Sequence, residues 1–147
     1  MTEMNTGHLR GRRLLTRLAI AAMVLSIASF SLLAVACRNA SFLLFAAQDL
    51  GTVLLLVLVC CSGSQVGRWV GVLWLVIKSW VKLLMFSHPE RLGPSEVEPA
   101  FVLPLQILGV PMALVWFLLA LTLAFSPPVS DFLRFRRKQA GRFLDSR

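Results

Sequence analysis

Residues 41–61 read SFLLFAAQDLGTVLLLVLVCC, an apolar run interrupted by Gln48 and by a single carboxylate, Asp49. At 1.5 Å per residue such a run measures about 30 Å, the thickness of a bilayer's hydrocarbon core. A charged side chain near the bilayer centre costs ~2.5–3.5 kcal/mol on the translocon scale unless something pairs with it. The stretch therefore predicts a membrane-spanning helix, and with it a neighbour that supplies a counter-charge.

The flanking sequence is of the same kind. Residues 18–37 (LAIAAMVLSIASFSLLAVAC) carry no charge. Only Arg38, Asn39 and Ala40 separate them from 41–61, a link short enough to force an antiparallel helical hairpin. Residues 66–86 (VGRWVGVLWLVIKSWVKLLMF) follow a turn at 62–65. Residues 100–125 (AFVLPLQILGVPMALVWFLLALTLAF) follow a loop with Pro89, Pro94, Pro99, Glu90, Glu96 and Glu98. Backbone groups in lipid must be paired internally, and these blocks are too long for barrel strands, so all four read as helices.

The expected fold is an all-α integral membrane protein with four transmembrane helices in an up-down-up-down bundle, plus a basic amphipathic C-terminal helix. Residues 1–17 form a basic cytoplasmic segment, 18–126 the transmembrane domain and 127–147 a basic amphipathic tail. The motif Ala34-Val35-Ala36 before Cys37 has the form of a signal-peptidase site. The preceding apolar region exceeds the ~7–15 residues of a signal core, which argues for a retained helix.

Composition agrees. The chain is 57% hydrophobic and 15% charged, and its formal charge of +8 is concentrated at the ends. Arg10, Arg12, Arg13, Arg17, Arg68, Arg134, Arg136, Arg137, Lys138, Arg142 and Arg147 fall on one side of a four-span topology. Arg38 and Arg91, with Lys82 nearby, fall on the other. The positive-inside rule then puts both termini on the cytoplasmic side of a cytoplasmic (inner) or plasma membrane. The charge is expected to meet anionic lipid, chiefly through Arg134, Arg137, Lys138 and Arg142 on the tail, whose apolar face gathers Val129, Phe132, Leu133, Ala140, Phe143 and Leu144. Nothing besides charge supports nucleic acid as a partner.

Asp49 lies about 12 Å below the outer end of its helix, eight residues at 1.5 Å each. Lys78 lies equally deep in the third helix, and the two are equidistant from a pivot between Gly63 and Ser64. They are expected to form an intramembrane ion pair. Lys78→Leu is then expected to destabilise the protein more than Lys78→Leu combined with Asp49→Asn, and additive losses would refute the pair. On the third helix Gly67, Gly71, Trp74, Lys78, Lys82 and Met85 share the inward face; Val72, Leu73, Val76, Trp80 and Leu83 suit lipid. Lys82, one turn from the helix end, is expected to snorkel to the interface. Gly63, Gly67 and Gly71 allow close helix approach. The fourth helix presents a stripe of Gln106, Gly109, Ala113, Ala120 and Ala124, and Pro111 is expected to kink it.

One polar layer is expected to gather Ser29 or Ser31, Gln48, Asp49, Lys78, Ser79 and Gln106. Its ordinary role is inter-helix hydrogen bonding; its functional alternative is proton or ion handling. Three cysteines without metal-ligand spacing, and two histidines on opposite sides of the membrane, leave no metal site or cofactor to expect. No nucleophile elbow, phosphate-cradling loop or pair of membrane acids signals an enzyme. In size alone the chain is similar to the small multidrug transporters, but its first helix lacks their acid. The expectation is a non-enzymatic accessory or assembly component, acting as a homo-oligomer or with a membrane-protein partner. The alternative is a small proton- or ion-coupled transporter or channel subunit built on Asp49 and Lys78. A lipid-modifying enzyme ranks third.

Overall fold

A computed structural model describes residues 3–62, 64–89, 97, 99–127, 129–131 and 133–134. They are almost entirely helical: α1 (Glu3–Ala36), a 3₁₀ turn (Ala40–Phe42), α2 (Leu43–Ser62), α3 (Gln65–Ser87) and α4 (Pro99–Phe125). All four α-helices contain a segment long and apolar enough to cross a membrane. α2, α3 and α4 lie within two residues of the apolar blocks 41–61, 66–86 and 100–125. The exception is α1, which continues helical through the basic segment back to Glu3.

Local chemistry accounts for the ends. Asn39 accepts a hydrogen bond from the Ser41 amide at 2.9 Å and opens the 3₁₀ turn. Arg38 turns the chain with φ 49°, in the left-handed region. Ser64 N-caps α3 by accepting from the Gly67 amide at 3.1 Å. α4 is assigned as one helix through both Pro104 and Pro111; Pro111 faces outward and does not end it.

The helices are not equal partners. α4 is the most buried, packing on both α3 and α1, while the backbones of α2 and α3 approach each other least among the neighbouring α-helix pairs. Small residues explain the first point. Gly109, Ala113, Ala120 and Ala124 are all buried on α4, and Trp116 fills the middle of that stripe. Hydrogen bonds from Arg68 to Leu123, Ser79 to Ala113 and Gln106 to Ser87 rise along α3 as they descend α4, so the two run antiparallel. On α1 the buried face is Ala22, Ser26, Ser29, Phe30 and Leu33, one stripe at helical spacing. The outer faces are apolar too: Leu44, Leu55, Leu58, Val66, Val70, Leu73 and Trp80 are all exposed, as suits a surface solvated by lipid.

Gly67 and Gly71 face α2. A Cβ at Gly67 would lie 3.1 Å from Val59, and one at Gly71 would lie 3.2 Å from Leu56. Gly63 falls outside the described residues. Gly109 is tighter, because a Cβ there would overlap the buried ring of Phe86, which also stacks edge-on with Phe30 at 5.6 Å. Gly109→Ala is therefore expected to cost about 1–3 kcal/mol by overpacking. Gly51→Ala, with nothing within 4 Å of its Cβ, should be neutral or stabilising by up to about 1 kcal/mol through helix propensity. Thermal melts of both variants in detergent test the contrast; equal melting points would refute it.

Three inward and outward assignments need correction. Trp74, expected inside, is exposed, because α3 rolls toward α4 and carries Trp74 outward. Arg68, counted only as an interfacial charge, instead ties α3 to the end of α4. Its Nε donates to the Leu123 carbonyl at 2.7 Å, and a terminal nitrogen donates to Ala124 O at 2.5 Å and Ser130 Oγ at 3.1 Å. A cation over the last carbonyls of a helix is favoured by their unsatisfied lone pairs and by the helix dipole. The tail is likewise turned inward at its start. Val129 and Leu133, expected to face lipid, are buried in the protein core, leaving Arg134 exposed. Arg137, Lys138 and Arg142 lie outside the described residues.

Candidate functional site

Asp49 sits on α2, six residues beyond its first residue, and is 1% exposed. Lys78 and Lys82 lie one turn apart on the facing side of α3 and are both buried. Lys78 Nζ donates to Asp49 Oδ1 at 2.8 Å, and Lys82 Nζ donates to Asp49 Oδ2. One carboxylate thus bridges two lysines, one to each oxygen.

The two ammonium groups are satisfied differently. Lys78 uses all three donors on oxygen: Asp49 Oδ1, Thr52 Oγ1 at 2.7 Å and the Gln48 carbonyl at 3.4 Å. Thr52 accepts from Lys78 while donating to the Gln48 carbonyl at 3.1 Å. Lys82 has one carboxylate oxygen and two aromatic faces, its Nζ lying 4.5 Å from the Phe30 centroid and 5.4 Å from that of Trp116. Trp116 also stands 5.7 Å from Lys78. Its indole N–H donates to Ser26 Oγ at 3.0 Å, which fixes the ring in place. With all three groups ionised the cluster carries one surplus positive charge, and the ring quadrupoles partly offset it.

The structure brings together Asp49 and Lys78 but disperses the rest of the expected layer. Gln48 is exposed; only its backbone carbonyl reaches the cluster. Ser79 turns to α4, donating to the Ala113 carbonyl at 2.8 Å. Gln106 bonds the Ser87 carbonyl at 3.2 Å, at the end of α3. Ser29 is fully buried, and its hydroxyl has no hydrogen-bond partner in the structure. Lys82 reverses its expected role, reaching inward to Asp49 instead of snorkelling, because it lies one turn after Lys78 on the same face. Thr52, Ser26 and Trp116 were not anticipated. Their spacing was available: Thr52 follows Asp49 by three residues, and Trp116 lies between Ala113 and Ala120 on the small-residue stripe.

Among the described residues no group of three or more His, Cys, Asp or Glu side chains could hold a metal ion. No known protein family, curated protein or solved structure matches the chain.

Proposed function

We propose that this chain is a non-enzymatic multi-pass component of a cytoplasmic (inner) or plasma membrane. It spans the membrane up-down-up-down with both termini in the cytoplasm and acts as an accessory or assembly subunit. The observation carrying this reading is the closure of the charged cluster. Asp49 is 1% exposed and both its oxygens are taken by lysines of the same chain, so it behaves as an internal tie between α2 and α3. The orientation is supported by the excess of arginine on the side of the termini. The apolar outer faces of α2 and α3 suit lipid or a partner helix, either a second copy or another membrane protein.

A specific observation favours a second reading, a proton- or ion-coupled transporter or channel subunit. Two lysines share one carboxylate, and a surplus buried charge could serve an anion or a proton-transfer step.

Thiol labelling separates the two. In a background with Cys37, Cys60 and Cys61 replaced by serine, Thr52→Cys is expected to resist a membrane-impermeant maleimide from either side. Ser64→Cys should react only from the cytoplasm and Ser41→Cys only from outside. Labelling of Thr52→Cys would show a water path to the cluster and favour transport. Exchange of the two end-labelling patterns would reverse the topology.

A further inference from the structure

A groove of about 480 Å³ runs between α1 and α2, with Leu119 and Leu123 of α4 as its floor. Met23 and Leu56 line its walls. Ile20, Val24 and Val57 stand exposed along it, so it opens sideways into the membrane. Its lining is apolar over nearly its whole length and changes character at one end, where Arg12 borders it. Arg12 also joins Arg13 and Arg17 around a neighbouring depression. No carboxylate among the described residues pairs with these three arginines.

We infer that this groove is a binding site for one anionic phospholipid, holding an acyl chain between α1 and α2 with the phosphate at Arg12 and Arg13. Size supports a lipid. From Arg12 to Ile27 the lining follows α1 for about 22 Å at 1.5 Å per residue, while one leaflet with its headgroups is about 20–22 Å deep. If a methylene takes up close to a water's share of about 30 Å³, the groove holds a chain of about sixteen carbons. Charge supports an anionic headgroup, because the arginines gather at the end of the groove beyond its apolar length and have no carboxylate partner among the described residues. The orientation proposed above assigns the site to the inner leaflet. Its existence does not rest on that reading.

The test uses the full chain in nanodiscs of phosphatidylglycerol or phosphatidylcholine, followed by native mass spectrometry of the released protein. One phosphatidylglycerol per chain is expected to be retained, with phosphatidylcholine retained less. Arg12→Gln, a change at an exposed site, should weaken phosphatidylglycerol retention about fivefold. Ala19→Phe, which fills the groove, should abolish retention of both lipids, and Arg38→Gln at the opposite end should leave it unchanged. Equal retention of the two lipids, indifference to Arg12→Gln, or a chain dimer lost on Ala19→Phe would each overturn the inference. Nanodiscs are symmetric, so a reversed topology would alter the Ser64→Cys and Ser41→Cys labelling and not this result.

Discussion

Asp49→Asn is expected to destabilise the protein by about 3–5 kcal/mol, the range for removing one partner of a buried ion pair. The substitution keeps the shape and takes away the carboxylate that serves both buried ammonium groups. Lys78 would keep Thr52 and the Gln48 carbonyl, but the single amide oxygen of asparagine can serve one ammonium as a neutral acceptor while its NH2 faces the other, and neither lysine keeps a counter-charge. The bridging carboxylate also reverses the expectation drawn for an isolated pair. Lys78→Leu leaves Asp49 and Lys82 as a balanced pair and should cost much less than Asp49→Asn. Adding Asp49→Asn to Lys78→Leu strands Lys82 and should deepen the loss instead of relieving it. Replacing all three residues by leucine should be neutral or stabilising, because an apolar cluster avoids desolvating charge. Denaturation by increasing SDS in mixed micelles, followed by tryptophan fluorescence, measures the series. Rescue of Lys78→Leu by Asp49→Asn would show that Lys82 is not held by Asp49.

Trp116→Ala is expected to cost about 3 kcal/mol, the lower end for removing a large buried aromatic side chain. The lower end applies because lipid solvates an indole better than water does, which shrinks the transfer part of the loss. What remains is the void, the hydrogen bond to Ser26 and the ring face beside both lysines. The indole is fully buried at the centre of α4, between its contacts with α1 and α3, so the loss should also loosen α1. Trp116→Phe keeps most of the volume and the π face but not the N–H, and should lose about 1 kcal/mol. The same SDS titration compares the two. Equal losses would mean that the hydrogen bond to Ser26, and not packing, dominates.

The membrane class and the four helices were legible because bilayer thickness imposes a length on apolar runs that no soluble fold requires. The Asp49–Lys78 contact was legible for a related reason. A short turn makes depth in two adjacent helices a matter of counting, and 2.8 Å separates the pair in the structure. Counting fixes height but not rotation, and rotation is where the expectations failed. Trp74 lay outside, Gln48 turned its side chain away, and Ser79 and Gln106 bonded to neighbours other than α2.

By itself, then, the sequence determined that this is a membrane chain of four long apolar helices, and that Asp49 and Lys78 stand level on adjacent ones. Only the tertiary structure decided that Lys82 joins Lys78 on one carboxylate, that Trp116 walls the cluster, and that α4 is the central helix. The reason is physical. Hydrophobic length acts on each helix alone, whereas helix rotation in lipid is set by which small residues let two backbones close and which polar groups must find partners across them.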